Sequence, residues 1–301
     1  MSKPNLWQGV IPAITTPFTA DGQVDHDFLA SHARTLLDAG CTGIVPLGSL
    51  GEAATLGFEE KVAIMRTLVA AVADRAPVIP GIAALSTDEG VRLAREARAA
   101  GCAALMVLPP YVYSSDWREM SAHVTAIIEA TDLPCMLYNN PVAYRTDFSP
   151  EQIAAIAAEH PNVQAVKESS GEIRRFAALK ALLGDRLHLL VGMDDALVEG
   201  VCMGASGWIA GLVNAFPKES VRLFELARAG GSPAAASLYA WFLPLLRLDT
   251  VPKFVQLIKL VQQVVGLGSE RVRAPRLLIE GAEREQAMRT IRLAVACRPE
   301  F

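Results

Sequence analysis

The residue types with the most chemical potential sit at the ends of two short apolar runs. Val163-Gln164-Ala165-Val166 leads into Lys167, and Glu168-Ser169-Ser170-Gly171 follows at once. Burying an ammonium group is costly, so a lysine at a buried strand end is pushed toward the neutral amine that can attack a carbonyl carbon. A second run, Cys135-Met136-Leu137-Tyr138, delivers a phenol about thirty residues earlier and continues into Asn139-Asn140-Pro141. Alone, Lys167 could be a structural partner of Glu168, and Tyr138 could be a packing residue whose hydroxyl finds a hydrogen bond. Together on neighbouring strand ends they form a candidate Schiff-base site, Lys167 as nucleophile and Tyr138 as proton carrier.

Gly48-Ser49-Leu50-Gly51-Glu52 is the third element. Its plain reading is a helix entry, with glycines for a tight turn, Ser49 as N-cap and Glu52 near the first turn. The same physics serves binding, because free backbone N–H groups and a serine hydroxyl can grip a small carboxylate. An α-keto acid needs that grip beside the amine that attacks it. Glu52 is read as locking the loop rather than touching substrate.

These residues need elements to hold them. Short apolar runs recur at 9–15, 43–48, 78–82, 104–108, 134–138, 163–167, 188–192 and 206–211. Between them, alanine-rich stretches at 28–39, 59–73, 88–100 and 149–159 carry apolar residues three and four apart, the spacing of helices. Asp38-Ala39-Gly40-Cys41-Thr42-Gly43-Ile44-Val45 and Ala99-Ala100-Gly101-Cys102-Ala103-Ala104-Leu105-Met106 are near copies, each a helix ended by glycine and a turn into a strand. Eight strands alternating with helices predict an α/β fold, a closed (β/α)8 TIM barrel. No GxGxxG follows the first strand, against a dinucleotide fold. The barrel is expected over 1–225. Helices at 223–229, 234–246, 251–265 and 282–297 then form a C-terminal helical extension over 226–301, packed below or beside the barrel. Ser49, Tyr138 and Lys167 fall at the C-terminal ends of the second, fifth and sixth strands, where barrel enzymes place catalytic groups.

Composition narrows the classes. The chain has 301 residues, is 51% hydrophobic and carries a net charge of −4, which suits a large core and offers no basic surface to nucleic acid. No run reaches the length of a membrane span, and the N-terminus shows no signal-peptide apolar region, so a cytoplasmic protein is expected. Five cysteines without a CxxC pair, four of them (Cys41, Cys102, Cys135, Cys202) beside apolar runs, read as buried reduced thiols. His26, His32, His123, His160 and His188 form no zinc spacing, so chemistry without metal or cofactor is expected.

The three motifs, in this order, resemble the signatures of the dihydrodipicolinate synthase/N-acetylneuraminate lyase superfamily, and the likeness runs over nearly the whole chain. The resemblance implies Lys167 as the Schiff-base lysine, Tyr138 as the proton-shuttling tyrosine, and Ser49 with the 49–50 amides as the carboxylate cradle. Gly192 in Val191-Gly192-Met193-Asp194-Asp195 and Ile209 in Gly207-Trp208-Ile209-Ala210 match positions that line the pocket in that superfamily. It also implies a homotetramer of two tight dimers, with Tyr111 and Tyr113 approaching a neighbour's site.

Three departures from the founding enzyme bear on the substrate. Leu50 stands where a second hydroxyl residue is usual, Val112 replaces the second tyrosine of a Pro-Tyr-Tyr segment, and Ala143 replaces an arginine, with Arg145 two residues further on. Their loss argues against lysine biosynthesis. The run Lys167-Glu168-Ser169-Ser170-Gly171-Glu172-Ile173-Arg174-Arg175 and the tail Trp241-Phe242-Leu243-Pro244-Leu245-Leu246 are most similar to the subgroup holding the Δ1-pyrroline-4-hydroxy-2-carboxylate deaminases of hydroxyproline catabolism. The expected substrate is therefore a small keto or cyclic imino acid, that imino acid first, with Leu50 as an apolar wall. A 2-keto-3-deoxy sugar acid dehydratase or aldolase is the alternative. A phosphosugar aldolase is disfavoured, because 192–195 and 211–214 lack a glycine-rich phosphate cradle. A non-catalytic ligand-sensing barrel would have no use for both Lys167 and Tyr138.

Overall fold

Seven parallel strands form the wall that carries the site: β1 (Gly9–Pro12), β2 (Gly81–Ile82), β3 (Leu105–Val107), β4 (Cys135–Asn139), β5 (Val163–Glu168), β6 (His188–Val191) and β7 (Gly207–Ala210). In a computed structural model describing residues 6–111 and 116–300 they run in the order β1-β7-β6-β5-β4-β3-β2. The strand expected at 43–48 is reduced to two parallel bridges, Ala13 with Val45 and Ile44 with Val78, which join the β1 and β2 edges. Val45 N donates to Pro12 O at 2.8 Å and Ile79 N to Ile44 O at 2.9 Å, so the sheet closes into an eight-stave barrel as expected. Pro46, with no N–H to donate, curtails the second stave.

The strands are short and buried on both faces, and so read as continuous apolar runs rather than alternating ones. Helices α1 (His26–Asp38), α2 (Phe58–Val72), α3 (Thr87–Ala99), α4 (Trp117–Glu129), α5 (Pro141–Tyr144), α6 (Pro150–Glu159), α7 (Arg174–Leu183) and α8 (Leu197–Cys202) connect them. Local chemistry sets their ends. The Asp25, Ser86, Asp116 and Ser149 side chains accept from the backbone N–H three residues on, at N-terminal caps. Gly40 and Gly101 take φ of +103° and +86° where α1 and α3 stop, the repeated junction seen in the sequence.

Helices α9 (Pro217–Arg228), α10 (Pro233–Leu246), α11 (Phe254–Val264) and α12 (Gly281–Ala296) complete the chain, α9 running across 225–226. Two expectations change here. The helix read over 251–265 starts only at Phe254, because Pro252 interrupts it, and 249–252 instead reaches the strand ends. The extension thus caps the C-terminal end of the strands rather than lying only below or beside the barrel. Cys202, expected buried, ends α8 at the surface and is exposed, as is Cys297, while Cys41, Cys102 and Cys135 are buried. Among the described residues no helix is long and apolar enough to cross a membrane.

Candidate active site

A cavity of about 390 Å³ opens at the C-terminal ends of the strands. Ser49, Leu50, Tyr138, Lys167, Gly192 and Ile209, all singled out from sequence, line it. Lys167 and Tyr138 are register partners in the β4·β5 ladder. Strand alternation sends Lys167 into the barrel and Glu168 outward. Glu168 is then taken up elsewhere: it accepts from Asn139 Nδ2 at 3.1 Å and Ser170 N at 2.6 Å, with Arg175 at 4.0 Å. The Lys167–Glu168 bridge of the plain reading does not form. Lys167 is 6% exposed, and among the described residues its Nζ has no hydrogen-bond acceptor; it lies 4.1 Å from the centroid of the Tyr138 ring.

The Tyr138-Asn139-Asn140-Pro141 motif is a positioning device. Asn140 Oδ1 caps α5 by accepting from Ala143 N at 3.0 Å, while its Nδ2 donates to the Tyr138 hydroxyl at 2.9 Å. Asn139 points the other way, its Oδ1 accepting from Phe148 N at 3.0 Å and its Nδ2 donating to Asp147. One asparagine fixes the phenol and the other fixes the loop behind it.

The Gly48–Glu52 segment is a turn, not the start of α2, which begins at Phe58. Leu47 and Glu52 both adopt positive φ, 61° and 56°, a costly conformation for residues with a Cβ. Among the described residues the Ser49 and Leu50 amides donate to no protein acceptor, which leaves them available to a carboxylate. Glu52 does not line the cavity. It is fully buried, accepts from Lys259 Nζ at 2.5 Å and Arg273 N at 3.1 Å, and lies 3.7 Å from Arg276. It ties the turn to the C-terminal region.

Gly192 is there to make room. A Cβ at that position would lie 1.9 Å from Ser169 Oγ and 2.8 Å from Lys167 Cε. Gly211, after β7, does the same for Asp249, whose Oδ1 would meet a Cβ at 2.1 Å.

Sequence reasoning missed several residues of the site. Tyr144, in the turn beyond Tyr138, hydrogen-bonds the Ser49 hydroxyl, packs edge-on against Tyr138 at 6.0 Å and lies tilted against Tyr111 at 5.3 Å. Burial, with Tyr138 adding to it, pushes its phenol above the ordinary range. Ser49 and Tyr138 themselves are not hydrogen-bonded to each other among the described residues; each is held by a neighbour on the 140–144 turn. Tyr111 is half-buried behind Tyr144, and Tyr113 and Val112 lie outside the described residues. Ala143 lines the cavity, whereas Arg145 is exposed and does not. Arg276, Asp249 and Thr250 enter from the C-terminal region. Asp194 accepts from Trp208 Nε1 at 2.9 Å, Gly211 N at 3.1 Å and Leu212 N at 2.7 Å. Burial nevertheless raises it to about 6. Asp249 is raised well above the usual carboxylate range by burial first and by Asp194 second, Lys167 opposing. Among the described residues no group of three or more His, Cys, Asp or Glu gathers to hold a metal ion.

A buried amine over a phenol at the mouth of an eight-stave barrel defines a class of barrel enzyme. The chain belongs to the dihydrodipicolinate synthetase family, whose model matches residues 6–294. It is similar to the 4-hydroxy-tetrahydrodipicolinate synthase of Methanoculleus marisnigri, 33% identical over 95% of this chain and 99% of the relative. The synthase of Sorangium cellulosum is 34% identical over 94% and 95%. Among solved structures, dihydrodipicolinate synthase from Aquifex aeolicus superposes with a TM-score of 0.91 at 26% identity, covering 95% of this chain and 98% of that one. YagE of E. coli K12, a member of the same family in complex with pyruvate, gives 0.90 at 27% identity over 97% and 100%.

Proposed function

We propose that this enzyme is a lysine Schiff-base lyase that deaminates Δ1-pyrroline-4-hydroxy-2-carboxylate to 2,5-dioxopentanoate and ammonia. The Lys167 amine, without a hydrogen-bond acceptor among the described residues and held 4.1 Å over the Tyr138 ring in a cavity walled by Leu50, Ala143 and Ile209, carries the reading. Lys167 adds to C2 of the ring while Ser49 and the 49–50 amides hold the carboxylate; ring opening leaves a ketimine and a free amine at C5. Tyr138 gives its proton to the departing C5 amine, the cationic ketimine acidifies C3, whose proton returns to the Tyr138 oxygen, and the enamine expels the C4 hydroxyl as water. Tautomerisation gives a C5 imine. Hydrolysis of that imine and of the lysine ketimine uses two waters, so one water is consumed overall and ammonia leaves.

The relatives named as synthases favour a different second step, joining pyruvate to an aldehyde. Against it stand Leu50, where the resemblance leads one to expect a hydroxyl, and Ala143, where it leads one to expect an arginine; both line the cavity. Dehydration of a 2-keto-3-deoxy sugar acid shares every step through the enamine and loses the same C4 hydroxyl. A parallel assay of the imino acid, a 2-keto-3-deoxy pentonate, and pyruvate with aspartate semialdehyde separates the three. Equal amounts of ammonia and dioxo acid from the first, unaffected by chelator, support the deaminase. Faster water loss from the second makes it a dehydratase, and efficient condensation of the third overturns both.

A further inference from the structure

We propose that Asp249 is the acid that protonates the departing C4 hydroxyl in the elimination step, an inference that rests on the elimination reading above. Asp249 Oδ1 is sealed from solvent and has no hydrogen-bond partner among the described residues, although the residue lines the cavity. A buried carboxyl oxygen without a donor favours the protonated acid, and the residue's place in the cavity lining puts that acid beside the substrate. Asp194 does not share this feature: its two oxygens are taken by Trp208 Nε1, Gly211 N and Leu212 N. Both carboxyls rest against Gly211, whose missing side chain leaves the space that Asp249 occupies. Burial raises both carboxyls and Asp194 adds to the rise at Asp249, so the one without donors is the one that keeps the proton.

The barrel order places this acid where elimination needs it. Around the ring Ser49 follows the Ile44–Val45 stave and Lys167 lies in β5, four staves away and hence opposite. A substrate held by its carboxylate at Ser49 and by C2 at Lys167 therefore has its C1–C2 bond along that line. Tyr138 on β4 lies on one flank of that line, and Gly211 with Asp249, after β7, lies on the other. Base and acid thus act from different sides. The C3–H bond breaks toward the Tyr138 side, its electron pair forming the enamine. The enamine pair then forms C3=C4 as the C4–O bond breaks, and the Asp249 proton goes to the oxygen, which leaves as water. The resulting carboxylate recovers its proton from the one released when water hydrolyses the cationic lysine ketimine.

The comparison that tests this is Asp249→Asn against the parent, read four ways. Borohydride trapping of pyruvate and deuterium exchange at the pyruvate methyl need no leaving group and should stay near parental levels. Ammonia release from the hydroxy imino acid should fall by roughly 10²–10⁴, the usual worth of a positioned acid. An analogue with fluoride in place of the C4 hydroxyl, which departs without a proton, should be turned over within a few-fold of the parent. Parental ammonia release by the variant overturns the proposal, and so does an equal loss on the fluoro analogue. If Asp249→Asn fails to trap pyruvate, Asp249→Ser replaces it in the same comparison, and failure of both assigns Asp249 to holding the site together. A parent protein inactive on every C4-hydroxy substrate is a separate result, and it sinks the elimination reading itself.

Discussion

Lys167 Nζ lies 4.1 Å above the ring of Tyr138, and the two residues are direct partners in the β4·β5 ladder. The face of a phenol attracts a cation but accepts no strong hydrogen bond, so the amine is steadied without being engaged. Among the described residues no carboxylate hydrogen-bonds it, although Asp194 and Asp249 feel its charge. Incubation with pyruvate and borohydride should therefore fix one reduced ligand per chain, mapped by peptide mass to Lys167. Label on Lys253 or Lys259 instead would show that the nucleophile is elsewhere.

The two tyrosines of the site should separate by function. Tyr138→Phe keeps the ring beneath Lys167 and removes the proton carrier, so adduct should still form while turnover drops by roughly 10²–10⁴. Tyr144→Phe removes only the partner of the Ser49 hydroxyl, a hydrogen bond worth about 1 kcal/mol, and should weaken keto-acid binding roughly fivefold. Equal effects of the two substitutions on both readouts would mean that the phenols act as one unit.

Gly192→Ala offers a steric test. Its Cβ would press on Lys167 Cε at 2.8 Å and Cγ at 2.9 Å as well as on Ser169 Oγ, and the lysine is the part free to move. Adduct formation should drop steeply while the melting temperature changes little. Unchanged trapping would show that Ser169 yields instead.

What could be read in the sequence was what short range determines. Lys167 and Tyr138 announce themselves because a polar residue ends an apolar run, and the Gly40 and Gly101 junctions because glycine ends helices. The 43–48 stave was legible as an apolar run, although Pro46 leaves only two bridge pairs to mark it. Tyr144 escaped notice because α5 is one turn long, too short for any periodicity. Asp249 escaped because nothing local marks it: it meets Lys167 and Gly211 only when the segment before α11 folds over the barrel mouth. Period reading alone carried that helix back through Pro252 and so hid the cavity rim.

The same closure yields a stability prediction. Glu52 and Lys259 are 207 residues apart in sequence, both buried, and joined at 2.5 Å. Lys259→Met leaves the Glu52 charge without its main partner and should cost about 3–5 kcal/mol by denaturant unfolding. The double variant with Glu52→Gln should recover a substantial part, since removing both charges removes the uncompensated one. A double variant as unstable as the single would show that Arg273 N and Arg276 dominate the Glu52 interaction.

Buried His32 sets an acid limit on the fold. Its Nε2 lies 3.2 Å from Asn214 Oδ1 and 3.3 Å from Gln262 Nε2, in a network joining α1, α11 and the β7 end, and burial lowers its pKa from 6.5 to about 4. The neutral ring is the form the fold accepts, so its contribution is complete above about pH 6.5 and is lost as pH falls through 4. At about 1.4 kcal/mol per unit the loss across that window is on the order of 3 kcal/mol. Asp194, raised from 3.8 to about 6, acts with the opposite sign, its contribution present below 3.8 and lost as pH rises through 6. The two partly cancel in the whole protein, so the difference between parent and His32→Gln is the quantity to follow. At pH 8 the variant should be the less stable, and by pH 4 most of that gap should have closed. A gap constant from pH 8 to pH 4 would mean that His32 does not titrate against folding in this range.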